Sequence, residues 1–318
     1  MNPYLSVVIS VFNEADGLES LWSDLSEVIS KSEYATEIIW VNDGSTDSSQ
    51  SAISKIVQSN LLDHLSFREI QLSKNFGHEA AMTAGIDHAN GEYVICMDAD
   101  LQHPPAEIPR MIAKAQEGFD IINMIRDSKR EKGATTNLFS KTFYAIMNRF
   151  SDYQFEENAS DFFLISKRVV DVLKSSYRER NRFVRGYIQV MGFDKTSIKY
   201  QAATRTTGVS KYNKRKLFKL AVAAISSFSK KPLFFALGTS FAFAILSILL
   251  AIYSIWMFFF GDAPPSGYTT LIVFMSVCFT IVYVLLAIIS IYLGFNFEEV
   301  KDRPIYLVKE SKSTNTKS

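Results

Sequence analysis

The stretch CMDADLQHPP, residues 96–105, sets two carboxylates, Asp98 and Asp100, two positions apart at the end of an apolar run. In extended backbone, positions i and i+2 share a face. Like charges held on one face repel unless a cation or a donor-rich ligand lies between them. The pair suits Mg2+ or Mn2+, hard ions that take oxygen ligands and are commonly shared between one or two carboxylates and substrate phosphates. An ion held there would neutralise a leaving diphosphate, as Lewis acid and as template. The pattern DxD alone is common. An apolar strand before it, LQHPP after it and an NDGS turn elsewhere in the chain give it weight.

Elements able to carry such a site can be read upstream. LSVVISVF (5–12), TEIIWVND (36–43), FREIQLSK (67–74), GEYVICMD (91–98) and DIINMIR (120–126) are short, largely apolar and β-branched, as buried strands are. Helix-patterned segments at 15–30, 47–59, 77–89 and 104–118 separate them, the last opened by Pro104–Pro105 and closed by Gly118. Strands alternating with helices at this spacing predict βαβ units and a mostly parallel sheet covered on both faces. Ligands of such sheets bind at the carboxyl ends of the strands. There the chain offers Phe12-Asn13-Glu14, Asn42-Asp43-Gly44-Ser45, Lys74-Asn75 and Asp98-Ala99-Asp100. Each group alone is ordinary turn chemistry; four at one rim point to a site. Beyond residue 126 the pattern predicts a helix at 134–150, a strand at 159–166 and a short helix at 181–190.

Composition divides the 318 residues into two regimes. The chain is mixed and charged up to about residue 231, whereas 233–260 and 271–295 contain no Lys, Arg, Asp or Glu. Each is long enough to cross a bilayer, which takes about 20 residues. Eight Lys/Arg and no acid lie between Arg205 and Lys231, just before the first run, and the segment between the runs has no Lys or Arg. The positive-inside rule then puts both termini in the cytoplasm, on the inner face of the plasma membrane. In 214–229, Phe218, Ala221, Val222, Ile225 and Phe228 form an apolar stripe with basic residues at its start, a pattern that fits a membrane surface or packing on the soluble domain. The opening MNPYLSVVIS has no leader pattern, so no signal peptide is expected. Cys96 and Cys278 are too differently placed to pair, and a net charge of +1 implies no nucleic-acid partner. The four histidines show no zinc spacing, and only His103 falls near the acidic pair. The polar end SKSTNTKS is expected to be disordered.

Taken together, SVVISVFNEADGL, IIWVNDGSTDSS, LSKNFGHEAAMTAGIDHANGEYVICMDADLQHPP, ASDFFLISK and RTTGVSKYNKRKL, followed by two apolar runs, resemble glycosyltransferase family 2. Within it they are most similar to the polyprenyl-phosphate glycosyltransferases, the group of dolichol-phosphate mannose synthase and the bacterial bactoprenol glucosyltransferases. The resemblance covers about residues 4–300. It implies an α/β fold of GT-A type and inverting, metal-dependent transfer from a nucleotide sugar, UDP-glucose above others, to undecaprenyl phosphate in the cell envelope. It implies a catalytic domain over 1–204, a basic loop and juxtamembrane helix over 205–231, transmembrane helices over 232–260 and 271–295 joined by an external loop, and a cytoplasmic tail over 296–318. Carried over by motif, Asp43 would contact the base, with Glu14 and the main chain at Val11 framing the nucleoside and Lys74 beside it. Asp98 would face ribose or metal, Asp100 and Gln102 would hold the metal, and Asp161 would stand at the reacting centre. Arg126, Arg205 and Lys211 would handle phosphates. Where the family commonly has proline, this chain has Ser10.

A phosphate monoester has a second pKa of about 6, so such an acceptor is already mostly a dianion and needs no strong base. Asp161 would then either steady positive charge on the sugar, as carboxylates do in glycoside chemistry, or orient the nucleophile. Transfer of mannose from GDP-mannose is the near alternative. A processive synthase would carry a QxxRW motif and more spans, neither of which is present. A non-catalytic lipid-carrier-binding membrane protein would have no need of an intact DxD. Association of copies through the apolar helices is a further expectation.

Overall fold

The computed structural model describes residues 3–59, 65–127, 156, 159–180, 182–202, 231–260 and 267–314. The expected helices at 134–150 and 214–229 lie outside the described residues, as do Arg205 and Lys211. The chain divides into two compact units: Met1–Ala145 with Gln154–Lys216 and Pro304–Ser318, and Ile146–Tyr153 with Leu217–Arg303.

The first unit is built on a sheet of β1 (Leu5–Val11), β2 (Thr36–Asn42), β3 (Leu65–Leu72), β4 (Tyr93–Asp98), β5 (Ile121–Arg126), β6 (Ala159–Ser166), β7 (Lys195–Tyr200) and β8 (Val308–Thr314). Their order is β7-β5-β6-β4-β1-β2-β3-β8. Strands β4, β1, β2 and β3 pair in parallel, as do β5 and β7. β6 is antiparallel to both β4 and β5, and β8 is antiparallel to β3. The helices are α1 (Leu18–Ser30), α2 (Ser49–Ser59), α3 (His78–His88), α4 (Ile108–Gln116), α5 (Lys167–Ser175) and α6 (Val184–Val190).

Every residue of β1 and β2 is buried, which is why these strands read as largely apolar runs, the buried Ser6 and Glu37 within them bonding to each other at 2.8 Å. Leu18, Leu21, Leu25 and Ile29 give α1 one buried face, and Trp22 packs on Phe67 at 5.3 Å between ring centroids. Burying one such side chain contributes about 1.5–3 kcal/mol. An exposed pair such as Lys31–Glu27, 2.6 Å apart, contributes about 0–1 kcal/mol. Burial therefore dominates the positioning of the rim. A Cβ on Gly85 would stand 2.1 Å from Val8 Cγ1, so only glycine lets α3 lie this close to β1.

Three elements lie outside the sequence expectations. α5 and β7 follow β6, and Ser311–Thr314 of the tail expected to be disordered are ordered, a correction for those four residues; 315–318 lie outside the described residues. Ser311–Thr314 lie in β8, which hydrogen-bonds along the open edge of β3. An unpaired edge supplies that pairing free of any apolar requirement, and composition carried no trace of it.

The second unit contains α7 (Lys231–Phe260) and α8 (Tyr268–Val300). Among the described residues, Val273–Val300 is long and apolar enough to cross a membrane, with a mean hydropathy of 2.6, whereas within α7 the apolar stretch Ala236–Leu250 is shorter. Phe241, Ile252 and Trp256 of α7 and Leu271, Tyr283 and Leu293 of α8 are all exposed. So much uncovered apolar surface marks a site of contact with a membrane or a protein.

Candidate active site

The parallel strands β1, β2, β3 and β4 deliver their carboxyl ends to one rim, and with them Val11, Asp43, Lys74 and Asp98. β6 runs the other way, so its beginning lies at that same rim. The β4–β6 register pairs Cys96 with Phe163, and two further steps bring Asp161 alongside Asp98. Arg126 ends β5 at this edge too.

Two loops are laced together beside β1 and β2. Asn13, held at φ 55°, donates its main-chain N–H to Ser45 Oγ at 3.0 Å and accepts from Thr46 N–H at 2.8 Å. Glu14 N–H reaches Ser49 Oγ at 3.1 Å, and Val11 accepts from Asp43 N–H at 2.9 Å. Asn42 Oδ1 takes Ser45 N–H at 2.8 Å while its amide donates to Gln50, itself bonded to the buried Glu69. Asp43 is 2% exposed, and its two oxygens accept Phe76 N–H at 2.7 Å and Gly77 N–H at 2.9 Å. Burial pushes its carboxyl upward against those bonds. The Lys74 ammonium lies over the Phe76 ring, 5.1 Å from its centroid.

At β4, Asp98 Oδ1 accepts from Ser10 Oγ at 3.1 Å, and the Asp98 N–H donates to His103 Nδ1 at 2.9 Å. Asp100 Oδ1 accepts Gln102 N–H at 3.1 Å across a turn in which Leu101 has φ 65°. Asp161 lies between two cations, with Arg185 Nη1 3.5 Å from Oδ1 and His78 Nε2 3.6 Å from Oδ2. Its Oδ1 is buried and makes no hydrogen bond. Burial would raise the Asp161 carboxyl, but the Arg185 guanidinium and the His78 ring outweigh it and hold it well below the usual carboxylate range. Partial desolvation disfavours charge on His78, yet the Asp98 and Asp161 carboxylates push the imidazole up to about 10. Glu79, next along α3, is pushed up to about 7 by burial and by the Asp161 charge, and accepts Val184 N–H at 2.9 Å.

The expectation that only His103 stands near the acids is thus corrected: His78 touches two of them. Arg185 also escaped the sequence reading. His78 opens α3 directly after the tight turn at Gly77, the one signal that could have marked it; Arg185 carried none, because only the return of α6 to the start of β6 brings it there.

Among the described residues no three His, Cys, Asp or Glu side chains gather into a metal cage. Asp98, Asp100 and Gln102 instead offer a small all-oxygen set at an open rim, the donor chemistry of an Mg2+ or Mn2+ that completes its shell with water and substrate phosphates. The residues present fit such an ion.

Residues 6–173 match the family model described as glycosyl transferase family 2. A bactoprenol glucosyl transferase derived from the SfII prophage of Shigella flexneri is 35% identical over 316 residues, 98% of this chain and 99% of that protein. An uncharacterized glycosyltransferase of Bacillus subtilis (strain 168) is 33% identical over 306 residues, 96% of this chain and 93% of its own length. A mycobacterial protein of known crystal structure overlays with a TM-score of 0.50 at 15% identity, covering 70% of this chain and 74% of that one, a likeness of fold. A GT-A-like mixed sheet, acids gathered where its strands end, and relatives matched from end to end agree: this chain belongs to glycosyl transferase family 2 and is a glycosyltransferase.

Proposed function

We propose that the chain transfers one glucose from UDP-glucose to undecaprenyl phosphate, with inversion, at the cytoplasmic face of the plasma membrane. The observation that carries this reading is the meeting of Asp161 with Asp98 at the strand rim, within a chain 35% identical over nearly its whole length to a bactoprenol glucosyl transferase. α7 and α8, read as a membrane hairpin, would anchor the chain to the bilayer that holds a lipid carrier.

In this reading the laced loops 13–15 and 43–49 cradle the nucleoside. Asp43 stiffens the turn at 76–77 and faces the base, with Val11, Glu14 and Lys74 around it. Asp98, Asp100 and Gln102 would hold the divalent ion, which when bound would supply charge neutralisation to the departing diphosphate. A phosphate oxygen of the acceptor attacks the anomeric carbon, the bond from that carbon to the donor's β-phosphate oxygen breaks, and UDP leaves. Asp161 is held ionised and is a poor proton acceptor, which favours a role in steadying positive charge on the sugar over that of a base. Arg126, with Arg205 and Lys211 of the basic segment, offsets repulsion between two phosphate groups.

The test is a donor screen: full-length protein, a short polyprenyl phosphate, UDP- and GDP-sugars, with and without divalent ion, scored for lipid-linked sugar. The expected product forms from UDP-glucose only when the ion is present. A product from GDP-mannose alone would replace the donor assignment, and no lipid product from any donor would overturn the reading.

A further inference from the structure

Two rim carboxylates serve opposite halves of the proposed reaction, Asp98 on the donor side and Asp161 at the carbon that changes partner. One side chain touches both. His78 Nδ1 lies 3.3 Å from Asp98 Oδ1, and Nε2 lies 3.6 Å from Asp161 Oδ2. Ser10 closes a triangle with them, its Oγ standing 3.1 Å from His78 Nδ1 and 3.1 Å from Asp98 Oδ1. The ring thus presents one nitrogen edge to Ser10 and Asp98 and the other to Asp161, while the serine hydroxyl donates to Asp98.

The frame around the ring is stiff. The main chain just before it is pinned by Asp43 through Phe76 and Gly77, and Glu79 just after it is tied to the Val184 main chain. Ser10, buried near the end of β1, supplies the hydroxyl that completes the triangle.

We propose that His78 is a positioning residue for sugar transfer, cross-linking Asp98 to Asp161 and fixing their separation, with Ser10 as its brace. Without the ring the two carboxylates repel, and Asp161 is left to relax toward Arg185. This assignment rests on the transferase reading above, in which the two acids must hold donor and reacting carbon in register.

Two measurements on the full-length chain test it. In lipid transfer, H78A is expected to lower kcat about 100-fold, the scale of a misplacement near 1 Å, with the donor KM changed less than about threefold. H78Q, which restores one amide donor, is expected to recover about tenfold over H78A. A kcat for H78A within about threefold of the parent would overturn the assignment. So would a loss carried equally by the donor KM, which would make the ring a donor ligand. The second measurement needs no turnover: a double-mutant cycle of H78A and D161N in thermal melts without divalent ion. The expected double-variant shift is smaller than the sum of the single shifts by several degrees, and additive shifts would overturn the cross-link. If the parent protein transfers no sugar to any polyprenyl phosphate, the acceptor reading fails, while the cycle still decides the contact.

Discussion

Replacing Asp43 by asparagine isolates what holds the loops at the strand rim. The carboxylate is 2% exposed and accepts two main-chain N–H groups, from Phe76 at 2.7 Å and Gly77 at 2.9 Å. Asparagine keeps one acceptor and turns an NH2 group toward the other donor. A hydrogen bond to a charged group contributes about 1.5–3 kcal/mol, and a buried donor left unsatisfied costs about 1–3 kcal/mol. Burial pushes the Asp43 carboxyl upward, so removing the charge returns part of that loss. The net expectation is a destabilisation of about 2 kcal/mol, or about 4–8 °C in the melting midpoint of a domain this size. UDP affinity should fall as well, because the released turn borders the rim. The assay is a thermal melt of the detergent-solubilised chain with and without UDP. A midpoint within about 1 °C of the parent, with UDP binding intact, would refute the argument that Asp43 braces the turn.

Gly44 has φ +64°, and a Cβ there would stand 2.4 Å from the Lys74 carbonyl carbon and 2.6 Å from Asn75 N. Gly44→Ala must therefore shift main chain, a folding cost beyond the ~1–2 kcal/mol of left-handed strain alone, and UDP affinity by calorimetry should drop at least about tenfold; affinity within twofold would contradict the close approach. Glu79 is pushed up to about 7 in the fold from an ordinary 4.5, so the native state binds its proton more tightly than the unfolded chain does. Its ionisation therefore weakens the fold as pH rises from about 4.5 through about 7. E79Q should be favoured over the parent at pH 8 and lose that advantage by pH 5, as melts at the two values will show; an unchanged difference would remove Glu79 from the titration.

Much of this architecture is legible in the chain because parallel strands buried on both faces leave continuous apolar runs. The predicted 5–12, 36–43 and 120–126 meet strands at Leu5–Val11, Thr36–Asn42 and Ile121–Arg126, and 159–166 coincides with β6. The direction of β6 was not legible: antiparallel insertion between β4 and β5 follows from long-range pairing, and it is this reversal that brings Asp161 to Asp98. Asp98, Asp100 and Asp161 announced themselves through motif, whereas His78 and Arg185 did not, because their meaning lies in what they face. β8 was hidden for a related reason. Its residues are exposed except the half-buried Thr314, so its stability comes from an edge 236 residues and more upstream, as in the pairing of Leu72 with Val308, and not from its own composition.

The most direct test of the account is the transfer rate of D161N measured beside its UDP affinity. If, as proposed, the acid stands at the reacting carbon and outside the nucleotide site, kcat should fall by about three orders of magnitude, the range lost when a preorganised charge at a transition state is removed, while UDP binds within about twofold of the parent. Near-normal turnover, or a loss explained entirely by UDP binding, would contradict the account.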